Sequence, residues 1–142
     1  MAHTYLSLGT NLGNKKTNLE TAISLISETI GEVVSVSSFY HSAPWGFESE
    51  HDFLNVAVAV ETKLSPAELL KKTQEIEQKM GRKIKSKNGN YTDRIIDIDI
   101  IFYDDLIIDM PELKIPHPLW KERDFVRIPI VEIKVYSTAS AE

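Results

Sequence analysis

Apolar and polar positions along this chain follow two different periods, and the switches between them divide it into elements. Thr4-Tyr-Leu-Ser-Leu-Gly9 alternates with a strand period, and Gly9-Thr-Asn-Leu-Gly13 bounds it with a turn. From Lys15 to Ile30 the period becomes helical: Leu19, Ala22, Ile23, Ile26 and Ile30 share one face, and Gly31 stops the helix. Residues 33–40 are β-branched and alternating, and Phe53-Leu-Asn-Val-Ala-Val-Ala-Val-Glu-Thr62 is a second, stronger strand signal. Ser65-Pro66-Ala67-Glu68 is a helix start, with an N-cap serine, proline at the first helical position and a glutamate that closes a capping box. That helix runs to Met80, with Leu69, Leu70, Thr73, Ile76 and Met80 inward and Gln74, Glu77 and Gln78 nearer the polar boundary.

Arg94-Ile-Ile-Asp97-Ile-Asp99-Ile-Ile-Phe-Tyr103 reads as a core strand interrupted by two carboxylates. Side chains two apart share a strand face, so Asp97 and Asp99 lie together while Ile96, Ile98 and Ile100 face the other way. Their Cα atoms lie roughly 6.7 Å apart, suited to bracketing a divalent cation or a close pair of cations. Burying two like charges without a cation raises a pKa instead; the competing reading is an edge strand with solvated aspartates.

The resulting order, β-α-β-β-α-β, predicts an α+β fold of ferredoxin-like type: an antiparallel sheet with two helices packed on one face, residues 1–142 forming a single domain. Beyond Leu106, prolines 111, 116, 118 and 129 predict an irregular C-terminal extension with a frayed end.

Composition narrows the chemistry. With 142 residues the chain buries roughly two-thirds of its unfolded surface. With no cysteine, a metal must be held by carboxylate, imidazole or solvent, which favours hard cations. No leader or long apolar run is visible, so a cytoplasmic protein without membrane contact is expected. A net charge of −5 argues against nucleic-acid partners. Lys79, Arg82, Lys83, Lys85 and Lys87 form a basic block, read either as an anion site or as a solvated loop.

Two aspartates on a sheet face, with cations arriving from loops, suit polyphosphate chemistry. Mg²⁺ takes one or two carboxylates together with phosphate oxygens and water, and Arg82, Lys85, Arg94 and Arg123 are candidates to clamp those oxygens. The glycine-bounded turn lacks the lysine and hydroxyl residue of a P-loop. Asn55 shares a strand face with Phe53, Ala57 and Ala59; near Trp45 and Phe47 it reads either as a reader of a flat heterocycle or as a backbone-bonded amide. Taken alone, His117 is a loop residue.

These residues together resemble the 6-hydroxymethyl-7,8-dihydropterin pyrophosphokinases of folate biosynthesis. The resemblance runs through Leu8-Gly-Thr-Asn-Leu-Gly13, Ser38-Phe-Tyr40, Pro44-x-Gly46, Phe53-Leu-Asn55, Gln74-x-x-Glu77, Gly81-Arg82, Arg94-x-x-Asp97-Ile-Asp99-Ile, Pro116-His117 and Arg123-x-Phe125. It implies transfer of the β,γ-pyrophosphoryl group of ATP to the hydroxymethyl oxygen of the reduced pterin, with release of AMP. It implies two Mg²⁺ ions on Asp97 and Asp99, with Arg82 and Arg94 assisting the transfer. By the same resemblance Ser42, Ala43, Trp45, Phe53, Asn55 and Phe125 contact the pterin. Gln74, Glu77, Arg82, Lys85, Ile100, His117 and Arg123 line the nucleotide. A monomer binding only ATP and hydroxymethylpterin is expected. The chain departs from the family in carrying Tyr91-Thr-Asp-Arg94 where a Trp-Gly-Pro-Arg run is common. Two rivals share the expected core: a palm-type nucleotidyl transferase, which releases pyrophosphate, and a non-catalytic binding module.

Overall fold

The computed structural model describes residues 1–43, 52–81 and 95–141, with side chains as far as Lys134. The elements in chain order are β1 (Ala2–Thr10), α1 (Lys15–Thr29), β2 (Gly31–Val36), β3 (Tyr40–Ser42), β4 (Phe53–Thr62), α2 (Pro66–Lys79), β5 (Asp97–Tyr103), β6 (Ile108–Met110), β7 (Leu113–Ile115) and α3 (Asp124–Ala141). The main sheet has the order β2-β4-β1-β5, with every neighbouring pair antiparallel; β3 also pairs with β4, and β6 pairs with β7 in a separate hairpin.

Local chemistry sets the helix ends. The Asn14 side chain accepts from Thr17 N to cap α1. At α2 the capping box is complete: Ser65 Oγ accepts from Glu68 N and Glu68 Oε1 accepts from Ser65 N. Gly81, with φ of +109°, adopts the left-handed conformation that ends α2.

Alternation on the strands separates two cores. Leu54, Val56, Val58 and Val60 of β4 join Leu6, Leu8, Ile96, Ile98 and Ile100 beneath α1 and α2, which contribute Leu19, Ala22, Ile26, Leu69 and Ile76. Ala57 and Ala59 face the opposite side, where Ile101 and the α3 residues Val126, Ile130 and Ile133 complete a second cluster.

The two expected helices, α1 and α2, do share one face, and the second cluster corrects the expectation of an irregular C-terminal extension. Residues 124–141 form a helix on the second face of the sheet. Pro129 misled the sequence reading: within a helix it removes a backbone hydrogen bond at a cost of about 3 kcal/mol. Burying Val126, Ile130 and Ile133, each nearly inaccessible to solvent, contributes roughly 1.5–3 kcal/mol apiece and outweighs it. The segment between Leu106 and Ile115 is likewise more regular than expected, folding as the β6–β7 hairpin.

Two irregularities shape the sheet. The strand expected to run to Tyr40 ends at Val36; Ser37 then bonds Ala57 in both directions, its N–H donating to Ala57 O (2.9 Å) and its Oγ accepting from Ala57 N (2.8 Å). In β5, Tyr5 pairs with Phe102 but Leu6 pairs with Ile100, which makes Ile101 the extra residue of a β-bulge. The bulge turns both Ile101 and Phe102 toward α3 and returns Tyr103 to the first core.

If α3 is a packed element, Ile130→Ala should destabilise the protein by about 2–5 kcal/mol in urea titrations. A loss below about 0.5 kcal/mol, the range of surface substitutions, would show that α3 does not pack as described.

Candidate active site

One end of the second sheet face is floored by small residues. Gly9 of β1 pairs with Asn55 on one side and Asp97 on the other, and the next position on that face, Ser7, pairs with Ala57 and Asp99. Asn55 and Asp97 are thus two strands apart, about 9.5 Å, with no side chain between them. A Cβ added at Gly9 would lie 3.0 Å from Asn55 Oδ1 and 3.4 Å from the Phe53 ring, so glycine keeps this floor open. The sequence reading placed Gly9 at the edge of a weak phosphate cradle; it lies instead inside β1, between the two halves of the site.

Asn55 is 2% exposed, and its Nδ2 donates to Tyr40 O (2.9 Å) and Ser42 Oγ (2.8 Å). Of the two alternatives raised by the sequence, the structure shows the backbone-bonded amide. The amide bonds backbone, and because both its hydrogens are engaged, Oδ1 is left to accept from whatever occupies the floor. Phe53 at the start of β4 is half-buried beside it, Ser42 pairs with Phe53 in the β3–β4 ladder, and Ala43, the residue after β3, is exposed. Phe125, in the first turn of α3, packs against the second core, with the Arg123 guanidinium 6.0 Å from its ring centre.

Asp97 and Asp99 share the second face as the alternation predicts and are half-buried; Ile96, Ile98 and Ile100 lie in the opposite core. Among the described residues no cluster of three or more histidines or carboxylates offers a metal a complete protein cage. Two partly exposed carboxylates beside Gly9 and Ser7 fit a hard cation that keeps sites for water and phosphate.

The outer edge of β5 carries a second feature. A cavity of about 260 Å³ lies there, lined by Ile98, Asp99 and Ile100 of β5, Leu70 of α2, residues 111–114 of the hairpin, His117 and Pro118. It falls below the roughly 300–1,000 Å³ that encloses a drug-sized ligand, leaving room for a planar base. Asp99 borders both this cavity and the floor. Leu70, Gln74 and Glu77 fall on one stripe of α2 by helical spacing. Gln74 is exposed, whereas Glu77 is buried, contrary to its expected place at the polar boundary, and its Oε2 accepts from Ile98 N at 2.8 Å. That bond fixes the peptide between the two aspartates.

His117 is held by its N–H donating to the bulge carbonyl of Ile101 (3.1 Å), and its Nδ1 accepts from Leu119 N (3.3 Å). The remaining Nε2 carries the hydrogen of the neutral ring. Burial lowers the His117 pKa, the Arg123 charge lowers it further, and the Asp97 charge opposes them. Arg82, Lys85, Arg94 and Trp45 lie outside the described residues.

Sequence reasoning missed Ser7, Leu70 and Lys114 as site residues. Leu70 was read only as core, and Ser7 only as part of a strand. Lys114 had a signal, as the polar position between buried Leu113 and Ile115 on a three-residue strand.

An antiparallel α+β scaffold with two carboxylates between an amide-lined floor and a base-sized cavity suits a transferase acting between a nucleotide and a second small substrate. Comparison with known proteins specifies which. Residues 5–135 match the family model described as 7,8-dihydro-6-hydroxymethylpterin-pyrophosphokinase (HPPK). The chain is 45% identical over 134 residues to the 2-amino-4-hydroxy-6-hydroxymethyldihydropteridine pyrophosphokinase of Porphyromonas gingivalis, covering 94% of this chain and 91% of that protein. It is 38% identical over 130 residues to the Bacillus subtilis protein of the same name, covering 91% and 76%. The fold resembles Plasmodium falciparum HPPK-DHPS, with a TM-score of 0.72 at 19% identity over 88% of this chain; it spans only 40% of that longer chain.

The chain belongs to the HPPK family. Its activity is that of a pyrophosphokinase of folate biosynthesis, with ATP as co-substrate and hydroxymethylpterin as acceptor.

Folded His117 binds its proton less readily than an unfolded histidine of pKa 6.5. Its contribution to stability is therefore fully present above that pH and is lost as pH falls through the lower folded value. Thermal midpoints should drop more steeply on acidification from about pH 7.5 to 5 in the wild type than in His117→Gln. Parallel curves would show that His117 is not depressed.

Proposed function

We propose that the floor and the cavity are the two halves of the pyrophosphokinase site, meeting at Asp97 and Asp99. The observation that carries this reading is the register: Asn55, Gly9 and Asp97 lie in one row, and Asp99 in the next row also borders the cavity at the β5 edge. A pterin resting on the floor would present ring N–H groups to Asn55 Oδ1, with Phe53 and Phe125 supplying apolar surface and Ser42 and Ala43 the adjoining wall. Trp45 belongs to the same wall by resemblance alone.

On the nucleotide side, the base would enter the cavity against Ile100 and Leu70, with Gln74 on the neighbouring turn of α2. The orientation of β5 supports a positioning role for Glu77 in addition to any contact with ATP. His117 presents its Nε2–H as a neutral donor, and Arg123 brings positive charge to the side of the floor where Phe125 lies. Arg82, Lys85 and Arg94 complete the set of phosphate clamps by resemblance, with Arg82 and Arg94 serving the transfer itself.

Asp97 and Asp99 would hold two Mg²⁺ ions, which neutralise the polyphosphate and lower the barrier to attack by the hydroxymethyl oxygen. The chain's own residues set the geometry: the floor holds the acceptor, the cavity holds the base, and the register fixes the gap between them. The order β2-β4-β1-β5 supports reading the core as a ferredoxin-like βαββαβ unit to which β3, the hairpin and α3 are added. We further read the chain as one domain and as a cytoplasmic monomer with no nucleic-acid or membrane partner. No helix among the described residues is long and apolar enough to cross a membrane.

With ATP, Mg²⁺ and 6-hydroxymethyl-7,8-dihydropterin, the protein should release AMP only when the pterin is present; release of pyrophosphate would instead indicate a palm-type transferase. Asp97→Ala and Asp99→Ala should each abolish AMP release while leaving urea stability unchanged or slightly raised, because each removes one of two neighbouring like charges. Full turnover in either variant would show that the pair is not the metal site.

A further inference from the structure

We infer that Glu132 of α3 is a positioning residue for the pterin, acting through the β2–β3 connection and the strand β3. Its Oε2 accepts from Ser38 N at 2.7 Å and lies 3.3 Å from Ser38 Oγ, ninety-four residues away in sequence. This inference rests on the proposed reading of Asn55 as the residue that meets the pterin.

The reason such an anchor matters is the weakness of β3. It is three residues long and, among the described residues, pairs only with β4 and lies at the sheet edge beyond Asn55. So short an edge strand has little intrinsic stability. Yet Tyr40 O and Ser42 Oγ, both on β3, take the two hydrogens of the Asn55 amide and so decide that Oδ1 faces the floor. If β3 shifts, the amide is freed to rotate, and a donor replaces the acceptor that the ligand meets.

In the segment between β2 and β3, Phe39 packs against the first core, and the two residues before it are held by hydrogen bonds. Ser37 bonds both backbone groups of Ala57 on the sheet. Ser38, one residue nearer β3, is exposed, and its N–H donates to a carboxylate carried by α3. A hydrogen bond to an ionised acceptor is stronger than a neutral one. α3 is itself a rigid base for that carboxylate, since Val126, Ile130 and Ile133 are packed against β4 and β5. The same helix carries Phe125, seven residues and about 10.5 Å from Glu132 along its axis. One helix thereby sets both the aromatic wall and the β3 wall of the pterin floor.

The test is steady-state kinetics with each substrate varied in turn, for the wild type, Glu132→Ala, Glu132→Asp, Glu132→Gln and the reference variant Asn55→Ala. Glu132→Ala and Glu132→Asp, which lack an acceptor or cannot reach Ser38, should raise the pterin KM about tenfold while leaving the ATP KM within about twofold. Glu132→Gln keeps an acceptor oxygen and should restore the pterin KM to within about threefold of wild type. Ala and Asp variants with an unchanged pterin KM, beside an Asn55→Ala whose KM is raised, would overturn the role of Glu132 alone. Equal rises in both KM values would also overturn it, as a general loosening. An unchanged pterin KM in Asn55→Ala would overturn the reading of Asn55 and this inference with it. Should Glu132→Ala fail to fold, the Asp and Gln pair decides the question.

Discussion

The site depends on the antiparallel register of β1 between β4 and β5. Because β1 is central, one residue on it faces a partner on each side, and Gly9 thereby separates Asn55 from Asp97. A shift of one residue in either ladder would send the facing side chains to the opposite surface. Asn55 would then lie under α1 and α2, and Asp97 would enter the apolar core. The two cores guard against this, since each ladder puts aliphatic residues on one face and small or polar ones on the other. Folding energy and site geometry are thus enforced by the same alternation.

The edge of β5 would otherwise expose unpaired backbone groups, and the protein satisfies two of them with Glu77 of α2 and with His117 of the cavity wall. Glu77 accepts from Ile98 N, and the Ile101 carbonyl accepts from His117 N. The bulge at Ile101 permits the second contact and directs Phe102 toward α3, where Tyr5 and Trp120 meet it edge to face at ring-centre distances of 6.0 and 5.0 Å. The loop that carries His117 is therefore tied to β5 at its start by a backbone bond and at Trp120 by aromatic packing. Such double attachment restricts the loop before any ligand arrives, which lowers the ordering cost of binding.

Much of this was legible in the sequence because it rests on local rules. Period two located β1, β4 and β5, the Ser65 to Glu68 pattern located α2, and the spacing of Asp97 and Asp99 fixed their common face. The failures have tertiary causes. Pro129 signals a break on local grounds, but three buried aliphatic residues on one helical face override it. Glu77 looks like a boundary residue by composition, and its burial follows from an edge N–H that only the folded sheet presents. The role of Gly9 could not be read from its own neighbours, because the side chain that it makes room for is forty-six residues away on β4. Glu132 gave no signal at all, since an acidic residue on an amphipathic helix is the ordinary solvated case.

The polarity of Asn55 carries a consequence for selectivity. A solvent-exposed amide can rotate to match a donor or an acceptor, but this one has both hydrogens committed to Tyr40 and Ser42. It can only accept. A molecule placing an N–H above Gly9 gains a hydrogen bond there, whereas one placing a carbonyl or ring nitrogen lone pair meets another acceptor in a largely desolvated place. Sites that discriminate by a fixed hydrogen-bonding group reject a mismatch far more strongly than apolar pockets reject a change of size, because the buried group is left unpaired. On the proposed reading of the floor, a three-residue strand at the sheet edge decides the chemistry read there, and the bonds that hold that strand belong to selectivity as much as to the fold.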